Sequence, residues 1–436
     1  MSTLRISFDS TIKDGILYQK TTLDNGLRIV TDTMPQTYGV CIGIFIGTGS
    51  RYEEEEEAGI SHFIEHLLFK GTLKRASSRE ISETIEGIGG TLNGGTGKES
   101  TFYWCKIPKP HLTLALDVLV DIVLYSKFEA TEIEKERQVI IEEINTSKDS
   151  PPEQVNLLID DLMWPKHPLG QDIAGRKESV AAITRDQMLG YLSKHYQPNN
   201  AVITIAGNIQ HQDIVTMVSQ AMGNWTSQHP PQAYSSYKGH IVRRLQVEKR
   251  DTEQAHLCLA LPGLSLLHPR RFTLDLLNVI LGGGMSSRLF TEIRDNLGLA
   301  YSISSFVEHF LDSGSITVYA GAEPRNLPTV IKAILEQLSK LREAIPEQEV
   351  NKAKELSKGR LLLSMEDSRN VASWIGAQEI LIKRILNLEQ VVAIIDAITA
   401  EEIQQLAQDL IIENQLCLAV VGPVGEYNQL ENLLKL

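Results

Sequence analysis

Along Gly59–Phe69 (GISHFIEHLLF) the apolar residues Ile60, Phe63, Ile64, Leu67 and Leu68 recur at three- and four-residue spacing, which predicts a helix with one complete apolar face. At about 100° per residue, His62, Glu65 and His66 fall on the opposite face. Residues 131–146 (TEIEKERQVIIEEINT) predict a second helix, with Ile133, Ile140 and Ile144 on its apolar face. Glu136 and Glu143 lie on one flank of that face, two turns apart, and Glu142 points away from it. Residues 91–107 (TLNGGTGKESTFYWCKI) include a strand in which Gly94 and Gly95 permit close backbone approach.

The pattern is written twice. Ala182-Ile183-Thr184 matches Ala397-Ile398-Thr399, and Asn199–Gly207 (NNAVITIAG) matches Asn414–Gly422 (NQLCLAVVG), both at the same offset. In each copy a Thr suited to capping precedes a helix-period segment, then an Asn-containing turn and a buried strand ending in Gly. Between the copies, residues 223–240 (GNWTSQHPPQAYSSYKGH) have linker composition. The expected organisation is an N-terminal domain over 1–222, a linker over 223–240 and a homologous C-terminal domain over 241–436. Strands and helices do not alternate regularly, so the expected class is α+β, two duplicated domains each with helices packed on a mainly antiparallel sheet.

Composition narrows the function. A chain of 436 residues, 42% hydrophobic and 22% charged, has room for two cores. The N-terminus (MSTLRISFDSTIKDG) has no apolar run of the signal-peptide kind, and nowhere do about 18 apolar residues run uninterrupted. The expectation is a soluble, cytoplasmic protein with no membrane partner. Cys41, Cys105, Cys258 and Cys417 form no Cys-x-x-Cys pair and read as buried small hydrophobes. A formal net charge of -13 argues against nucleic acid as a partner.

The chemistry sits on the first helix. Two histidines four apart project side by side and can share a metal ion, with the Glu65 carboxylate beside them. This is His-x-x-Glu-His, the inverted form of the His-Glu-x-x-His helix. A catalytic zinc site needs a third protein ligand from another element. Glu143 is better placed for that than Glu142, and Glu136 is placed to orient Glu143 or a histidine. The competing reading is two amphipathic helices whose solvent faces happen to carry these groups.

On these residues the chain resembles the pitrilysin, insulin-degrading enzyme and mitochondrial processing peptidase family of inverted-motif zinc peptidases. The family pattern is His-x-x-Glu-His followed by a ligand Glu at the separation seen between His66 and Glu143, with another Glu seven residues before it, here Glu136. Leu27–Val30, Gly49-Ser50-Arg51, Phe69-Lys70-Gly71-Thr72, Gly90–Thr96 and Gly282–Phe290 (GGGMSSRLF) also look like family landmarks. The resemblance implies one Zn2+ per chain on His62, His66 and Glu143, Glu65 as general base toward the hydrolytic water, and cleavage of unfolded or extended peptides. It implies that Arg294 and Tyr301 contact the substrate backbone and scissile carbonyl. It also implies that the peptide adds to an edge strand carrying Asn93, Gly94, Gly95 and Thr96, with Phe69 beside it. Relatives have Asn-Ala-x-Thr where this chain has Asn93-Gly94-Gly95-Thr96, which leaves the shape of the adjoining pocket open. For chains of this length the resemblance implies a homodimer of the bacterial processing-peptidase type, with a heterodimer of related subunits as the alternative.

Other signals are weaker. Gly95-Thr96-Gly97-Lys98 fails the phosphate-loop pattern at Leu92 and Glu99. Glu53–Glu57 read as a solvated acidic loop, and the remaining histidines as structural. The rival function is a non-catalytic scaffold or assembly subunit of the same fold. Retention of all four catalytic positions argues against it.

Overall fold

The computed structural model describes residues 18–227, 229–239, 244–424 and 430–436. Residues 1–17, which bear the expectation about a signal sequence, lie outside the described residues, as do Gln228 and His240 of the linker. Among the described residues no helix is long and apolar enough to cross a membrane.

The chain forms two compact units. One comprises the residues up to Ile144, Asp172–Ser235 and Leu362–Glu389; the other comprises Asn145–Gln171, Ser236–Leu361 and Gln390–Leu436. The first contains a six-stranded sheet of β1 (Tyr18–Thr22), β2 (Arg28–Thr33), β3 (Gly39–Ile46), β4 (Thr91–Thr96), β5 (Thr101–Pro108) and β6 (Ala201–Gly207). Their spatial order is β1-β2-β6-β3-β5-β4, with only β2 and β6 parallel. Strands β3 and β6 are almost wholly buried, as expected of central strands covered on both faces. On one face lie the histidine helix Ile60–Leu68 and the helix Leu112–Tyr125, sharing a core with Ile29, Ile42, Ile44 and Ile203. On the other face the helix Ser368–Ile382 packs Ile375, Ile380, Val371 and Ala372 against Val30, Phe45, Val202, Cys41 and Ala206.

The second unit holds β7 (Leu245–Lys249), β8 (Ala255–Pro262), β9 (Ala300–His309), β10 (Gly314–Ala322) and β11 (Cys417–Gly422), ordered β7-β11-β8-β10-β9. Here β7 and β11 alone are parallel. This is the order and orientation of β2-β6-β3-β5-β4, so the duplication seen in sequence is a duplication of topology. The fold class is α+β in two repeated domains.

The repeated Thr residues do the same work in both copies. Thr184 caps the helix Arg185–His195 in a reciprocal box with Gln187, and Thr399 caps Ala400–Leu410 with Glu402. The helix Pro151–Met163 belongs to the second unit, where Val155, Leu158, Ile159 and Leu162 pack against Cys258, Ala260, Cys417 and Ala419. Each unit thus takes one helix from the other half of the sequence. All four cysteines are free and buried, and burial pushes Cys41, Cys105 and Cys417 up to about 12, so they serve as apolar filling.

The strand expected within residues 91–107 is β4, which turns back into β5 through Gly97–Ser100, where the Gly97 N–H donates to Ser100 O at 2.9 Å. Strand β4 is the outermost in its sheet, and exposed and half-buried residues alternate along it.

Candidate active site

The histidine helix starts at a sharp corner. Gly59 has φ +95°, a left-handed value, and a Cβ there would stand 2.5 Å from the Ala174 carbonyl oxygen, so only glycine fits without displacement. The first turn is closed by Glu53, whose carboxylate accepts from Gly59 N at 2.7 Å and Ser61 N at 2.8 Å. Glu53 is buried, while Glu54, Glu55 and Glu56 are exposed. The solvated-loop expectation therefore fails at its first residue. Orphaned backbone donors at a helix start attract a carboxylate, and Glu53 supplies it. Ile60, Phe63, Ile64, Leu67 and Leu68 fill the core, and the Ser61 hydroxyl pairs with Tyr191 Oη at 2.8 Å. The helix is thus fixed at its cap and along its buried face, with His62, Glu65 and His66 turned out of the core.

His62 Nε2 and His66 Nε2 stand 3.2 Å apart, and Glu143 Oε2 lies 3.9 Å from the first and 3.6 Å from the second. Four ligands at about 2.0–2.1 Å around a tetrahedral zinc would be separated by roughly 3.3–3.4 Å. The triangle has the size of one face of such a shell. Its electronic character agrees. Glu136 Oε2 lies 3.1 Å from His66 Nδ1, and because a carboxylate only accepts, the His66 proton sits on Nδ1 and the Nε2 lone pair faces the triangle. Burial, and then the neighbouring His66, pushes His62 down to about 4, so its ring is neutral and able to offer a lone pair. His62 Nδ1 is buried without a hydrogen-bond partner. Two lone pairs and a carboxylate oxygen directed at one point suit a cation, and the two-imidazole, one-carboxylate set suits zinc.

Glu136 is itself held. Its second oxygen pairs with Lys70 Nζ at 2.7 Å, so Lys70, Glu136 and His66 form a chain that fixes the ring plane of one ligand. Lys70 carries a role the sequence reading did not assign it. It stands just past the end of the histidine helix, where periodicity gives no direction to a side chain.

The edge strand reaches the same place. The Thr96 hydroxyl donates to Glu65 Oε2 at 2.5 Å. A Cβ at Gly94 would lie 3.1 Å from the Tyr103 ring, 3.2 Å from the Phe69 ring and 3.3 Å from Glu65 Cγ. Gly94 and Thr96 thus face Glu65 and Phe69, whereas Asn93 and Gly95 alternate onto the exposed side of the strand. The loop after β4 is tethered by Arg51, whose N–H donates to Lys98 O at 2.8 Å and whose buried guanidinium pairs with Glu99 at 2.5 Å.

Arg294 and Tyr301 belong to the second unit. Arg294 lies in a π-helical stretch, Phe290–Asn296, and Tyr301 is the second residue of the edge strand β9. The guanidinium sits 4.6 Å from the Phe290 ring centroid and 5.1 Å from that of Tyr301, which is 74% exposed. The pair is therefore a local unit, with the tyrosine open to a ligand.

Comparison with known proteins finds relatives over nearly the whole chain. The profile of Insulinase (Peptidase family M16) matches residues 28–177, and that of the Peptidase M16 inactive domain matches residues 182–357. The uncharacterized zinc protease YmxG of Bacillus subtilis is 37% identical over 94% of this chain and 99% of its own. An uncharacterized zinc protease of Mycobacterium leprae is 36% identical over 96% of this chain and 94% of its own. Among solved structures, a protease from Helicobacter pylori superposes with a TM-score of 0.88 at 23% identity, covering 94% of this chain and all of the other, a likeness of fold. The first match contains the His-x-x-Glu-His motif, and the second, which begins within the N-terminal half at residue 182, does not. The chain belongs to the insulinase family of peptidases, family M16.

Proposed function

We propose that the protein is a zinc-dependent endopeptidase acting on extended or unfolded peptides. The observation that carries this reading is the meeting of three features in one place: the His62–His66–Glu143 triangle, a carboxylate on the same helix at Glu65, and an edge strand hydrogen-bonded to that carboxylate.

His62, His66 and Glu143 would hold the zinc, which would supply Lewis acidity toward a peptide carbonyl and water. The chain's own groups do the rest. Glu65 keeps one oxygen on Thr96 and has the other to take a proton from the attacking water and pass it to the leaving amine. A peptide pairing with the outer edge of β4 lies along Glu65 and Phe69, held by main-chain hydrogen bonds with little demand on sequence. Folded proteins, whose backbone is already paired, are poor substrates on this reading. The resemblance adds Arg294 as a grip on substrate backbone and Tyr301 as a donor to the carbonyl oxygen. It also adds a homodimer as the working form, which sedimentation of the purified protein tests.

The decisive test is cleavage of a flexible quenched peptide of about 15–25 residues by zinc-loaded protein and its Glu65→Gln variant. We expect cutting by the wild type and a loss of roughly a hundredfold or more in the variant, with zinc content unchanged. Zinc-loaded wild type that leaves such peptides intact would instead favour the scaffold reading.

A further inference from the structure

On the face of the first sheet opposite the histidine helix, Asp32 stands two residues along β2 from Val30 and across from Tyr18 of β1. It is 8% exposed, yet no hydrogen bond or ion pair joins its carboxylate to any described residue, and burial alone pushes its pKa up. The basic residues on the same face are engaged elsewhere: Arg28 and Lys20 pair with Glu379 at 3.0 and 2.7 Å. A buried carboxylate without a partner is unfavourable, and here it opens onto a cavity of about 380 Å3.

The walls of that cavity include Tyr18, Met34, Trp374 and Leu386. Among the described residues two carboxylates, Asp32 and the exposed Glu366, line it, and no basic side chain does. The volume falls within the range of small-molecule sites, about 300–1,000 Å3. A neutral apolar guest would leave Asp32 unpaired, and an anion would meet two like charges. A bare divalent ion needs several oxygen ligands, where this cavity offers mostly hydrocarbon.

We propose that this cavity binds a small organic ammonium ion with an apolar body, its nitrogen on the Asp32 carboxylate and its hydrocarbon against Met34, Trp374 and Leu386. The Trp374 and Tyr18 rings add favourable surface for the cation. The site lies on the other side of the sheet from the zinc-binding triangle and stands independently of peptide cleavage.

The test is isothermal titration of the full chain with octylammonium, octanol and octanoate, which share a body and differ in charge. The expected result is one octylammonium per chain, bound at least about tenfold more tightly than octanol, with octanoate weakest. In Asp32→Asn the preference for the ammonium should vanish while octanol binding is retained. Equal affinity for octylammonium and octanol, no binding of octylammonium, or an undiminished preference in Asp32→Asn would each overturn the proposal. If Asp32→Asn does not fold, the ranking of the three probes on the wild type decides the matter alone.

Discussion

The Thr96 hydroxyl donates to the Glu65 carboxylate at 2.5 Å, tying the edge strand β4 to the histidine helix. The sequence places Thr96 with the substrate, but its side chain is engaged with the acid that we assign to proton transfer. Removing it frees Glu65 to swing and should lower kcat more than it raises KM. A hydrogen bond to a charged group contributes about 1.5–3 kcal/mol, so Thr96→Ala should lose roughly 10- to 150-fold in kcat, with Thr96→Ser recovering most of it. Steady-state kinetics on the quenched peptide, with zinc content measured alongside, checks this. An unaltered kcat in the alanine variant would mean that Glu65 is oriented by its own helix alone.

Glu136 acts through His66. Glu136→Gln keeps the shape but replaces one oxygen with an amide nitrogen, weakening the hold on His66 Nδ1–H and the pairing with Lys70. Zinc affinity, read by competition with a chromogenic chelator, should fall about 10- to 100-fold. Affinity equal to wild type would place Glu136 outside the support of the ligand set.

Glu53 makes stability depend on pH. Burial raises it to about 7 from an ordinary 4.5, against the opposing pull of the Ser61 and Gly59 hydrogen bonds. The folded chain therefore holds this proton more tightly than the unfolded one. The resulting stabilisation is full below about pH 4.5 and is lost as pH rises through about 7. Relative to Glu53→Gln, the wild type should lose about 2–4 kcal/mol of stability between those limits. Thermal melts of the two proteins from pH 4.5 to 8 measure the difference, in which groups common to both cancel. A difference that does not vary with pH would mean that Glu53 ionises without penalty.

Gly59 has no substitute. Gly59→Ala forces a side chain into a left-handed backbone 2.5 Å from the Ala174 carbonyl oxygen. The expected loss is about 2–4 kcal/mol, read from urea unfolding, with zinc affinity falling as the helix start shifts. A loss below about 0.5 kcal/mol would show that the corner relaxes freely.

Much of the centre was legible because helix periodicity directs side chains. His62, Glu65 and His66 share a face within a few residues, and the flank holding Glu136 and Glu143 follows from the isoleucines that bury the other side. The repeat was legible for a similar reason, since a capping Thr and a buried strand have local signatures. The bonds that Glu53, Thr96 and Lys70 make escaped because their partners come from other elements. An acidic run looks solvated until a helix start is brought to its first member, and a threonine in a strand gives no sign of what its hydroxyl will meet. The sequence thus named His62, His66 and Glu143, which the fold brings together, and Glu136, which reaches His66, but not the part that Lys70 and Glu53 play in holding them.

The same blindness to distant partners applied to the helices that cover the sheets, because an apolar stripe does not say which sheet it will lie on. The first sheet's outer face is covered by Ser368–Ile382, and the second unit's sheet is packed by Pro151–Met163. During synthesis, β6 leaves the ribosome long before Ser368–Ile382 does, and at about 5–20 residues per second the apolar face of a completed sheet waits uncovered for on the order of ten seconds. The first unit is therefore finished late, by a segment from the far end of the chain, and its sheet stays half covered until Ser368–Ile382 is made.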